Sequence, residues 1–399
     1  MNIINNRHLH KALLLLPYFF SVTGMLILES GDKKMVPLFL VSIIVSLIAF
    51  KKETILNNIR SPLLILVIVS CLYTTFSYYY HGASSRELRA LIGTTLFLVF
   101  FPYKLLTKKT LCWIVLIGGV VTCLNSLYLN VYMGSVRDTG YINPIPYATA
   151  SGLLAIISFS ILIEKSTLRS KVLPLLSFLL YLPPMIFSES RGVWVAFFIS
   201  TFTLIASKLL TSSPTKKQLL LSFIVIVTLL SISSHIFRNQ ISDRYNFTIQ
   251  EIDQIRNNDY NTSFGLRLQM WALAPESFKK SPLLGHGQHH RNILRAKLRD
   301  KMISKNLYRY SSRHYHNQYL DKMVKSGVIG LILVVSLLIL PLFKLKNMRT
   351  YEKYIIIGSV SLFFFSGLTD VPFNHPQPLM LYLLFLVPIC SRGKRVYND

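Results

Sequence analysis

The chain has 399 residues, of which 52% are hydrophobic and only 15% charged, with 43 Lys/Arg against 17 Asp/Glu and a formal charge of +26. A water-soluble protein of this length carries more charge and fewer long apolar runs, so that class is set aside. The positive charge is divided among many short loops with no module to organise it, and no nucleic acid is expected as a partner.

A helix needs about 20 mostly apolar residues to cross the hydrocarbon core of a bilayer. In chain order, twelve such runs stand at 12–29, 35–50, 62–80, 89–106, 110–132, 143–163, 171–188, 192–210, 218–237, 323–343, 353–368 and 377–391. The first is not expected to be a cleaved leader, because no small-residue cleavage site follows Leu28-Glu29-Ser30. Cys71, Cys112, Cys123 and Cys390 fall in or beside these runs and read as small membrane-buried side chains, not as a disulfide framework. Pro183-Pro184 directs the chain into a very short turn, Ser188-Glu189-Ser190-Arg191.

Orientation follows from the distribution of Lys/Arg among the loops. With the N-terminus cytoplasmic, the loops and tail on that side hold 21 basic residues, against six (Lys33, Lys34, Arg86, Arg89, Arg137 and Arg191) in the short loops opposite. Both termini are then expected in the cytoplasm. The expected architecture is all-α, one polytopic membrane domain over 1–399 with a long external insertion, 238–322, between the ninth and tenth spans.

That insertion is the one long polar stretch, and residues 238–325 carry sixteen Lys/Arg against seven Asp/Glu. Residues 238–262 are polar and rich in Asn and Asp. Over 263–280, Phe264, Leu268, Trp271, Ala272 and Pro275 recur at helical spacing, with Ser263 as a cap and Pro275 as an end or kink. Gly285-His286-Gly287 reads as a turn, and 290–309 as a basic amphipathic helix suited to a lipid surface.

Three residue groups could carry chemistry. Arg191 stands at the mouth of a span, where it either anchors at the interface, pairs with Glu189, or grips a pyrophosphate through its planar fork. Arg267 lies one turn before Trp271, so it either packs on that indole or joins Arg191 on a diphosphate. His316, beside Asn317 at the re-entry into the membrane, is a suitable base for a sugar hydroxyl, or else a solvated side chain; His314 is two residues away. His286, His289 and His290 lack any metal-ligand spacing, and the external carboxylates include no Asp-x-Asp pair of the kind a metal-dependent glycosyltransferase would use. Neither metal nor cofactor is expected.

Three segments together resemble the O-antigen ligase family, within the wider O-antigen ligase/polymerase superfamily of Gram-negative inner membranes. They are SRGVWVAFFI (190–199), GLRLQMWALAPESFKKSPLLGHG (265–287) and HNQYLDKMVKSGVIGLI (316–332). The resemblance implies a fold related to the C-type glycosyltransferases. It also implies metal-independent, inverting transfer of O-polysaccharide from undecaprenyl diphosphate to an outer-core sugar of lipid A–core, at the periplasmic face of the membrane. Arg191 and Arg267 would hold the diphosphate and His316 would activate the acceptor. Arg86, Arg89 and Arg137, with Trp271, Asn317 and His314, would help to bind substrate. Tyr315 stands where relatives often have proline, which keeps His314 as an alternative base.

Other readings use the same donor. An O-antigen polymerase would have a lipid-linked acceptor, and a protein O-oligosaccharyltransferase a protein acceptor, usually with a large C-terminal region beyond the last span. A transporter or flippase would place its charges near the midplane in inverted repeats, neither of which is seen.

Overall fold

The computed structural model describes residues 2–211 and 238–392, and every regular element among them is helical. The membrane bundle begins with α1 (Asn2–Val22), α2 (Gly31–Ile59), α3 (Pro62–His81), α4 (Ser85–Phe100), α5 (Lys108–Leu127) and α6 (Pro144–Leu162). It continues with α7 (Leu168–Leu180), the short α8 (Leu182–Phe187) and α9 (Arg191–Thr211). The polar insertion contributes α10 (Arg238–Arg256), α11 (Ser263–Lys280), α12 (His290–Arg299) and α13 (Lys305–Ser311), after which α14 (Gln318–Phe343), α15 (Thr350–Gly367) and α16 (Pro376–Ser391) complete the bundle.

Eight of the twelve expected runs coincide with helices long and apolar enough to cross a membrane. Three others are the helices α4, α15 and α16, of 16, 18 and 16 residues. The ninth run, 218–237, lies outside the described residues.

Burial separates centre from periphery. The apolar window of α6 is 83% buried against 28% for α3, and α16 is buried continuously from Pro378 to Cys390. Peripheral helices turn Ile48, Leu72, Phe202 and Phe343 outward, as lipid-facing helices do. Because lipid tails are as apolar as leucine, close approach and interhelical hydrogen bonds must hold such helices together. Tyr18 on α1 donates to the Leu384 carbonyl on α16, and Tyr181 donates to Val115 on α5, both at 2.8 Å.

The insertion corrects several local expectations. Residues 238–256, read as merely polar, form the helix α10. Thr262, not Ser263, caps α11 by accepting from the Gly265 amide at 2.9 Å. Pro275 neither ends nor breaks that helix, which runs on to Lys280. The expected helix over 290–309 is two helices separated by 300–304. They fold onto α11 around a small apolar core of Leu266, Met270, Leu294, Ile303 and Leu307, so the stretch packs on protein as well as facing outward.

A break in α14 fastens this lobe to the bundle. Gly327 has φ +61 and ψ −163, a conformation that frees backbone groups inside a helix. The Pro282-Leu283-Leu284-Gly285-His286 segment meets them: the His286 amide donates to Val324 and the Val328 amide donates to Pro282, each at 2.8 Å. A Cβ at Gly327 would lie 2.1 Å from the Leu283 carbonyl oxygen, so only glycine permits this contact. Two separated glycine-containing motifs are thus one docking joint.

Candidate active site

The turn at Ser188-Glu189-Ser190-Arg191 delivers the first arginine. Gly192 follows it and lies against the loop between α15 and α16; a Cβ there would fall 2.3 Å from Thr369 Oγ1. The absence of a side chain at Gly192 therefore lets the start of α9 reach the residue next to Asp370. Arg137, Glu189, Ser190, Arg191, Arg244, Arg267, Thr369 and Asp370 line one cavity of about 150 Å³.

Its arginines are held to different degrees. Arg191 donates from Nη1 to Thr248 Oγ1 and places Nη2 against Glu251 Oε2, both at 2.7 Å, with Phe247 beneath its guanidinium. Arg244 donates to the Glu189 carboxylate from both Nε (2.6 Å) and Nη2. The pairing of Arg191 with Glu189, one of the alternatives the sequence left open, is thus replaced by two pairs across the α9–α10 junction. Arg137 donates to the Ser188 carbonyl at 3.0 Å. Arg267 has no hydrogen bond or ion pair with any described residue. Burial lowers its pKa, and the Asp370 charge acts against that shift. A half-buried, unpartnered guanidinium in a cavity is a ready binding group for an anion.

Behind Asp370 stands a histidine cluster. Asp370 Oδ1 lies 3.2 Å from His316 Nδ1, and Oδ2 lies 3.3 Å from His375 Nε2. The His316 N–H is not well aligned on its carboxylate oxygen, and both atoms retain unused hydrogen-bonding capacity. Burial by itself would raise the Asp370 pKa, but the two flanking imidazoles bring it well below the usual carboxylate value. The His314 ring lies 4.1 Å from the His316 ring, centroid to centroid. Burial, then the charge of His316, depresses the His314 pKa from 6.5 to about 3. His314, His316 and Asp370 each offer one donor atom within 4.8 Å of the others, a set able to hold a cation.

Backbone strain concentrates here. Among the described residues, six non-glycine residues have positive φ, and Arg137 (59°), Glu189 (51°) and His316 (47°) are all at this site. Such conformations cost free energy and persist where the surroundings enforce them, commonly at functional sites.

The remaining residues singled out from sequence take varied places. Trp271 donates from Nε1 to the Tyr315 carbonyl at 3.1 Å, so its indole fixes the histidine loop and forms no cation–π pair with Arg267. Asn317 caps α14, accepting from the Tyr319 and Leu320 amides, and donates to Leu368 across to α15. Tyr315 is fully buried and its amide donates to Asp321 Oδ1 at 3.1 Å. Arg89 pairs with Asp32 at 3.3 Å and lines neither this cavity nor the second, larger one in which Arg86 and His314 stand.

Residues 175–335 match the family model described as O-antigen ligase. Over this segment the chain is similar to the O-antigen ligase family. The chain is also similar to an uncharacterised protein of Haemophilus influenzae, with 26% identity over 372 residues and 88% of each chain covered. The ligase-family segment includes Arg191, Arg267 and His316 but ends before Asp370 and His375. The sequence analysis singled out neither Asp370 nor its neighbour His375, and it missed Arg244 and Glu251 as partners. The available signal was the polar run Thr369-Asp370 with Asn374-His375 between two apolar spans, where an ionisable residue needs a reason.

Proposed function

We propose that the protein is an O-antigen ligase of the bacterial inner membrane, with both termini cytoplasmic and the site at the periplasmic face. It transfers O-polysaccharide from undecaprenyl diphosphate to a core sugar of lipid A–core. The observation that carries this reading is one cavity in which Arg191 and Arg267, from distant parts of the chain, face Asp370 with His316 at its back.

The donor diphosphate occupies the arginine cavity. Arg267 meets it first, having no protein partner to relinquish, and Arg191 and Arg244 add charge held in place by Glu251 and Glu189. With His316 Nδ1 turned to Asp370, the imidazole keeps Nε2 free to accept a proton. The acceptor hydroxyl oxygen attacks the anomeric carbon as its proton passes to Nε2. The bond from that carbon to the diphosphate oxygen breaks in the same displacement, which inverts the anomeric centre. Negative charge grows on the departing diphosphate, and preorganised guanidiniums beside a low-dielectric boundary stabilise it most at that moment. His314 is a poor base, because an imidazole with a pKa of about 3 has little affinity for the proton. The histidine–carboxylate set serves orientation and proton transfer without a metal in this scheme.

Complementation of a ligase-null strain tests the assignment by lipopolysaccharide gel. Wild-type protein restores the polysaccharide ladder, and His316→Ala does not although it reaches the membrane. A strain in which the chain instead extends single O-units into polymer on the lipid carrier would reassign it as a polymerase.

A further inference from the structure

A second cavity, of about 440 Å³, opens on the other side of the histidine cluster. That is within the size range of small-molecule sites, and none of the donor-binding arginines lines it. His314 and His375 stand in its wall, so it approaches the same Asp370 that closes the first cavity.

Its charges are arranged selectively. Lys322 is ion-paired with Glu87, and Lys325 with Asp321 at 2.8 Å, so both lysines are neutralised within the wall. The guanidiniums of Arg86 and Arg313 have no hydrogen bond or ion pair with any described residue, and Arg291 only donates to the Ser312 carbonyl. Three arginines are thus left uncompensated around one chamber. Beyond its mouth the positive charge continues along α12, where Arg291, Arg295 and Arg299 recur every four residues on the exposed face.

We infer that this second chamber binds the acceptor through anionic groups, Arg86, Arg291 and Arg313 gripping phosphate or carboxylate on an oligosaccharide whose hydroxyl reaches His316. The inference rests on the transferase reading and adds where, and by which side chains, the acceptor is held. Arginine's fork matches either oxyanion in two-point fashion. Two separate cationic chambers, one lined by Asp370 and the other by its partner His375, allow two anionic substrates to approach without contact between their charged groups.

The test is binding of fluorescent lipopolysaccharide core oligosaccharide, freed of lipid, to the purified full-length protein. Three probes are compared: phosphorylated, dephosphorylated with acidic sugars kept, and neutral. The phosphorylated probe is expected to bind about tenfold or more tighter than the neutral one, and Arg86→Gln with Arg313→Gln to erase that preference. The dephosphorylated probe tells phosphate from carboxylate as the group recognised. Arg191→Gln leaves the preference in place, since it faces the other cavity. Should the double variant fail to accumulate, Arg291→Gln on the exposed face of α12 gives the same reading. Equal binding of all three probes, or a preference that survives loss of Arg86, Arg291 and Arg313, overturns the inference. Because the readout is binding, a charge preference without transfer from donor would leave the chamber standing and sink the transferase assignment alone.

Discussion

The two cationic cavities either side of Asp370 solve different electrostatic problems. In the first, Arg191 and Arg244 are anchored by Glu251 and Glu189, and Arg267 is left without a partner. In the second, the lysines are neutralised and the arginines stand open. Anchored guanidiniums suit charge that develops during reaction, because they need no reorganisation when it appears. Open ones suit capture of charge that the ligand already has. The contrast teaches that a count of basic residues says little until their carboxylate partners are known.

The sharpest way to break this division is at the base and the leaving-group contacts. His316→Ala should lower kcat by about 10²–10⁴, and His314→Ala by much less; equal losses would return His314 to the role of base. Arg267→Gln should cost about 10²–10³ in kcat, whereas Arg86→Gln should be felt in the acceptor KM. A fall in kcat alone for Arg86→Gln would merge the two cavities into one functional unit.

Trp271→Phe removes one hydrogen bond to the Tyr315 carbonyl. A net contribution of about 1 kcal/mol makes the expected activity loss a few-fold, read from kcat with donor KM unchanged. A loss as large as that of Arg267→Gln would show the indole itself to touch substrate.

The smallest effect concerns stability. The folded-state pKa of His314 lies at about 3 and that of His290 at about 4, both below the ordinary 6.5 because of burial. Between those values the unfolded chain binds more protons than the folded one, so stability is full above about pH 6.5 and declines as pH falls toward 3. The Tm of the purified protein should therefore drop between pH 7 and 5, and His314→Gln should flatten the drop. A Tm that rises over that interval would contradict the neutral, buried state of the ring.

Much of the helical layout was legible from local pattern alone. A run such as Pro144–Leu162 has to be helical in a bilayer, because no water is there to satisfy its backbone. Arg191 and His316 drew notice for a related reason, each standing at an apolar boundary where charge is costly, whereas Arg267 was singled out by its place one turn before Trp271 in the polar insertion. Helix α10 was not legible, since its polar composition gives little helical periodicity and its placement depends on Arg244 and Arg191 finding Glu189 and Glu251.

The chain by itself determined that this is a membrane-embedded helical protein with a basic polar insertion, because hydropathy and loop charge act residue by residue. Only the tertiary structure decided that Asp370 lies between His316 and His375, that Trp271 serves the histidine loop, and that the arginines divide between two chambers. The physical reason is that partner choice among charges is a matter of distance in space. Glu251 can neutralise Arg191, and Arg267 can remain free, only once α9, α10 and α11 have packed.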